Sequence, residues 1–149
     1  MGRARVLFLC TGKSCRSQMA EGLVNHFQAD RWEAYSAGTA PAGYVHPLAV
    51  RAMAELGIDI SGSRSKPVDE FRDVPFDLVI TVCDDAAENC PLWLGGGKVV
   101  HVGFPDPARA TGTQAERMAV FRQVRDAIRR QILEFLEKET SNGNANIAG

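Results

Sequence analysis

Cysteines stand at positions 10, 15, 83 and 90. The first opens the run Cys10-Thr11-Gly12-Lys13-Ser14-Cys15-Arg16-Ser17, whose residue types suit oxyanion chemistry. A short loop between a strand and a helix turns several backbone N–H groups toward one point, and the positive end of the helix faces that point too. A tetrahedral dianion fits such a nest, and Arg16 can close it with a two-pronged guanidinium contact. The same field favours a thiolate, so Cys10 is expected to have a lowered pKa and to attack the bound anion. Ser17 can donate a hydrogen bond to its sulfur. Thr11, Gly12, Lys13, Ser14, Cys15, Arg16 and Ser17 are therefore the candidate substrate-binding residues, with Cys15 packing inside the turn. The plainer reading of Cys10 is a core residue that ends a strand, since unpaired cysteines are often buried. Cys10 and Cys15, and Cys83 and Cys90, are too widely spaced for the short knuckles of a structural zinc site, so no metal is expected.

The elements that must hold these residues can be read from hydrophobic patterning. Ala4 to Leu9 is a continuous apolar run, which suits a central strand buried on both faces of a parallel sheet. Ser17 opens a helical stretch with Met19, Leu23 and Phe27 at four-residue spacing, and Glu21 adds a carboxylate near its positive end. Trp32 to Ala37 reads as a second strand closed by Gly38. Pro47 starts a helix after His46, with Leu48, Ala52, Met53 and Leu56 as its buried stripe and Gly57 as its stop. Residues 61–73 read as a polar loop with a short helix, and Phe76 to Val82 as a third strand. Asp84 to Cys90 suits a helical turn or a mobile segment, and Gly95-Gly96-Gly97 a flexible turn. Lys98 to Val102 is a fourth strand. Gln114 to Glu139 is a long amphipathic helix facing inward through Phe121, Val124, Ile128, Ile132 and Phe135. The expected architecture is a single-domain α/β fold over residues 1–139: a parallel sheet of about four strands flanked by helices, with a disordered tail from 140 to 149. Ligands of such sheets bind at the carboxyl ends of strands, which directs attention to residues 10–16, 83–90 and 103–108.

In the last of these, Asp106 lies between Pro105 and Pro107, and the two rings stiffen the backbone that carries its carboxylate. An ordinary Asp-Pro turn is the competing explanation. His46 reads as a helix start rather than a catalyst, Asp84 and Asp85 as helix-start residues, and His26 and His101 attract no functional reading. Basic and acidic side chains nearly balance, 17 against 18, which argues against a nucleic-acid surface or a polybasic membrane patch. No apolar run approaches the roughly 20 residues that span a bilayer, and residues 6–9 are too short for a signal-peptide core. A monomeric, cytoplasmic protein with neither nucleic-acid nor membrane partners is expected.

The segment Cys10 to Gly22 resembles the phosphate loop shared by low-molecular-weight protein tyrosine phosphatases and the arsenate reductases built on the same fold. The resemblance continues through Tyr35–Thr39, His46–Met53, Gly57–Gly62, Val79–Pro91 and Gly103–Ala108, almost the whole chain to about residue 136. The later motifs are similar to those of the thioredoxin-coupled arsenate reductases. Phosphatases of this fold usually carry an aromatic residue where this chain has Ala108. The resemblance implies reduction of arsenate to arsenite, with Cys10 as nucleophile, Asp106 as general acid and Cys83 and Cys90 as a disulfide relay. It implies no bound cofactor: electrons would come from thioredoxin, with glutaredoxin or glutathione as the other source. One departure is Lys13, where the family usually has asparagine near a monovalent cation site that also uses Glu21 and Ser36. Either the Lys13 ammonium replaces that cation and pairs with Glu21, or it faces solvent. A disulfide needs Cα atoms about 4.4–6.8 Å apart, closer than a helix rising ~1.5 Å per residue would hold Cys83 and Cys90. Their pairing would require residues 84–89 to loop out. A phosphatase of the tyrosine-phosphatase type, which leaves Cys83 and Cys90 without a task, and a non-catalytic oxyanion or redox sensor are the alternatives.

Overall fold

The computed structural model describes residues 3–10, 16–38, 45–62, 67–83, 93 and 95–142. Its elements follow the order strand β1 (Ala4–Cys10), helix α1 (Arg16–Phe27), β2 (Trp32–Gly38), α2 (Pro47–Ala54), a 3-10 turn (Val68–Phe71), β3 (Leu78–Thr81), β4 (Lys98–His101), a second 3-10 turn (Pro107–Arg109) and α3 (Gln114–Asn142). The strands form one parallel sheet in the order β2-β1-β3-β4. Central β1 explains its unbroken apolar run: Val6, Leu7, Phe8 and Leu9 have no exposed surface.

Alternate residues of β1 feed two cores. Val6, Phe8 and Cys10 join the larger one with Met19, Leu23 and Val24 of α1, Leu48, Ala52 and Met53 of α2, and Phe121, Ile128 and Ile132 of α3. Leu7 and Leu9 join the smaller one with Ala37, Phe71, Phe76, Val79 and Trp93. Helices on both faces are the usual outcome of strand–helix alternation. Among the described residues, however, all three α-helices share the larger core, and a 3-10 turn covers the other face.

Three positions of the expected helical stripes differ, one of them Leu56, which lies past the end of α2 and is only half-buried. Phe27 is exposed (39%), because α1 turns its buried face through Ala20, Leu23 and Val24; its ring instead lies under the Arg129 guanidinium, 4.4 Å away. On α3 the stripe continues to Leu136, fully buried, while Phe135 is only half-buried. The last inward step is therefore four residues from Ile132 rather than three. Helix α3 also runs to Asn142, past the Glu139 end expected from pattern; residues 143–149 lie outside the described residues. Its start is a reciprocal cap, with Glu116 N–H donating to Thr113 Oγ1 at 3.1 Å and Thr113 N–H to Glu116 Oε1 at 2.9 Å.

Helix α2 ends as Gly57 foretold. Gly57 has φ +78°, its N–H donates to Ala54 O and the Ile58 N–H to Met53 O, the paired bonds of a Schellman stop. The nearby Glu55 clamps α2 to α3. It accepts two-pronged from Arg122 and singly from Arg125. These guanidinium hydrogen bonds, Arg122's first, pull its carboxyl down to about 2.

Candidate active site

Three strand ends converge where chemistry was expected. Val82 N–H donates to Leu9 O at 2.8 Å and Phe104 N–H to Val82 O at 3.1 Å. The pairing of β1 with β3 and of β3 with β4 thus continues beyond the regular strands and gathers Cys10, Cys83 and the residue 103–106 turn along one edge. Gly103 is needed in this junction: a side chain there would place its Cβ 2.8 Å from the Cys83 carbonyl oxygen.

Cys10 ends β1 with 1% exposure and is not part of a disulfide. Its Sγ lies 3.0 Å from Ser17 Oγ, the contact expected from sequence. A thiolate has no proton to give, so toward that species Ser17 must be the donor. Arg16 is fully buried at the start of α1. Its guanidinium Nη1 donates to Phe104 O at 2.7 Å, which couples the arginine to the turn bearing Asp106. That backbone acceptor was not anticipated; nothing in residue type marks a carbonyl. Burying a guanidinium is costly without partners, so this bond both holds the side chain and aims it.

Asp106 caps the second 3-10 turn, its Oδ1 accepting from Ala108 N–H at 2.9 Å. The carboxyl is therefore oriented as well as confined by the flanking prolines. His46 is the N-cap of α2, its Nδ1 accepting from Leu48 N–H at 3.1 Å, with its ring 4.8 Å from Phe121. Burial, and then the charge of Arg117, lower its pKa, against an opposing pull from Asp106. A neutral imidazole is what accepting from an N–H requires. His46 is thus the helix start that its sequence position implied.

Cys83, fully buried two residues past β3, is disulfide-bonded. Because Cys10 is not in a disulfide, the partner of Cys83 lies outside the described residues. So do Thr11, Gly12, Lys13, Ser14 and Cys15 of the loop, the pair Asp84 and Asp85, and Cys90. Ser36 Oγ donates to Glu21 Oε1 at 3.0 Å, so the two residues that accompany Lys13 in the expected cation region do meet. No cluster of three or more His, Cys, Asp or Glu side chains fit to hold a metal occurs among the described residues. No helix among them is long and apolar enough to cross a membrane.

The profile of the low molecular weight phosphotyrosine protein phosphatase family matches residues 5–144. An arsenate reductase of Halalkalibacterium halodurans is 49% identical over 137 residues, which is 92% of this chain and 98% of that one. Among solved structures, an arsenate reductase in its oxidized state superposes with a TM-score of 0.73 at 31% identity, covering 90% of this chain and 97% of the other. A thioredoxin-dependent arsenate reductase of Corynebacterium glutamicum gives 0.62 at 26% identity, covering 91% of this chain and 62% of that one.

Proposed function

The chain belongs to the low molecular weight phosphotyrosine protein phosphatase family, and on that footing we propose that it reduces arsenate to arsenite through a thiol relay. Arsenate binds in the loop of residues 11–17 against Arg16. The Cys10 thiolate attacks arsenic and forms an S–As bond, while Asp106 protonates the departing oxygen, which leaves as water. Cys83 thiolate then attacks the Cys10 sulfur. The new S–S bond releases the S–As electron pair onto arsenic, and As(V) leaves as As(III). Cys90 attacks Cys83, frees Cys10 and carries the disulfide outward.

A Cys83 held in a disulfide while Cys10 is in none carries this reading: the relay would leave the two cysteines in those states. A plain phosphatase gives that disulfide no task, although the same cradle supports some phosphomonoester hydrolysis. The reductant is a dithiol protein of the thioredoxin kind, which the C. glutamicum relative's name also specifies, with glutaredoxin and glutathione as the second choice. The protein works as a cytoplasmic monomer of one domain, residues 1–139, without nucleic-acid or membrane partners. In the test, NADPH oxidation is followed with thioredoxin, its reductase and arsenate. Sustained oxidation that vanishes in Cys83→Ser is the expected result. Absent oxidation with intact aryl phosphate hydrolysis would move the assignment to a phosphatase.

A further inference from the structure

We propose that Trp93 is a positioning residue for the thiol relay, fixing the downstream end of the segment that carries Cys90 and thereby setting how readily the disulfide at Cys83 forms. The inference rests on the relay proposed above, but its observations concern a different part of the molecule. Trp93 is buried (8% exposed) in the smaller core with Leu7, Leu9 and Val79. Its ring meets Phe76 edge-on, with centroids 5.9 Å apart, and its indole N–H donates to Gly96 O at 2.9 Å.

Two of the three glycines that follow are required where they stand. A Cβ on Gly95 would lie 2.3 Å from the indole Cζ2, and one on Gly97 would lie 2.6 Å from Phe76 O. Gly97 also has φ +102°, a conformation that side chains rarely adopt. Within the run that reads in sequence as a flexible turn, Gly95 is fitted to the indole and Gly97 to the Phe76 backbone, and together they clasp Trp93 in place.

Chain connectivity turns this clasp into a constraint on the relay. Three residue steps separate Cys90 from Trp93, so their Cα atoms can be no more than about 11 Å apart at ~3.6 Å per residue. At the other end, Cys83 is held by the backbone bonds of Val82 to Leu9 and of Phe104 to Val82. With both ends held by the same sheet, the dithiol state samples fewer conformations and the two thiols see a higher effective concentration. Closing the disulfide then costs less entropy. Releasing Trp93 returns that freedom to the reduced state and shifts the equilibrium away from the disulfide.

The test uses the full-length protein and the variants Trp93→Ala, Trp93→Phe and Gly95→Ala, each checked by thermal melting. The disulfide is equilibrated in dithiothreitol buffers and its thiols are trapped and quantified. Arsenate turnover with thioredoxin and aryl phosphate hydrolysis are measured in parallel. Trp93→Ala is expected to lower the disulfide equilibrium constant about tenfold, which for a two-electron couple is ~30 mV. It should slow arsenate turnover, leave hydrolysis within twofold, and be largely rescued in Trp93→Phe. Should Trp93→Ala not fold, a lowered constant in Gly95→Ala with hydrolysis intact supports the proposal. A constant and turnover equal to wild type in a folded Trp93→Ala, or in Gly95→Ala if only that folds, overturn it. Failure of the wild type itself to turn over arsenate would instead refute the relay.

Discussion

Replacing Ser17 with alanine removes a single hydroxyl from the Cys10 sulfur, and its consequence can be worked from the geometry. The Sγ–Oγ separation is 3.0 Å, and Cys10 is 1% exposed, so bulk water does not take over the lost bond. A hydrogen bond to a charged group contributes about 1.5–3 kcal/mol. At ~1.36 kcal/mol per factor of ten, the acid dissociation constant of the Cys10 thiol should fall about ten- to 150-fold. Alanine is the better helix former in the first turn of α1, so the fold should not suffer. The assay is the pH dependence of Cys10 alkylation by iodoacetamide, read on the Cys10 peptide by mass spectrometry. Ser17→Ala should shift the rise to higher pH, and Ser17→Thr, which keeps a hydroxyl, should restore part of it. An identical profile for wild type and Ser17→Ala would refute the claim that this contact stabilises the nucleophile.

Two further outcomes are expected. Asp106→Asn keeps an acceptor for Ala108 N–H, so its melting temperature should stay unchanged, while aryl phosphate hydrolysis falls by about 10²–10⁴ if Asp106 delivers the proton; unchanged hydrolysis would remove it from the mechanism. Glu55→Gln tests the clamp between α2 and α3. A carboxyl whose pKa is lower folded than unfolded contributes stability that is full above the unfolded value and lost as pH falls through the folded one. Glu55 is held at about 2 against an ordinary 4.5. The gap between wild type and Glu55→Gln in denaturant midpoint should thus be widest above pH 4.5 and close as pH approaches 2. Its side chain is 38% exposed, so solvent screening should limit the effect to about 1 kcal/mol. A gap independent of pH would count against the ion pairs.

The strands were legible in sequence because burial on both faces leaves only apolar residues, as in Val6 to Leu9, and Gly57 was legible because its positive φ excludes most side chains. The reciprocal cap of Thr113 and Glu116 also has a sequence signature, the two residues standing three apart at a helix start, though it went unread. Other features had no signature. Phe27 and Phe135 fit a helical period, but which of two adjacent apolar residues turns inward is decided by the facing element. The carbonyl of Phe104 that holds Arg16 is backbone, common to every residue type. Gly95 and Gly97 looked permissive, and only the placement of the Trp93 ring and of the Phe76 carbonyl shows that they are obligatory. The expected chemistry of Cys10 and Arg16 came from residue types and order and that of Asp106 from the family resemblance, whereas the continued pairing that gathers their strands is a property of the sheet.

The placement of the tryptophans has a spectroscopic consequence. The chain contains two. Trp32 is fully buried at the start of β2, in register with Ala4, at the end of the sheet opposite Cys10. Trp93 stands three residues from Cys90. A change in indole emission when the protein passes between its thiol and disulfide forms should therefore originate at Trp93, with Trp32 supplying a constant background. The protein carries its own probe for following oxidation and reduction in real time, without a dye or a coupled enzyme.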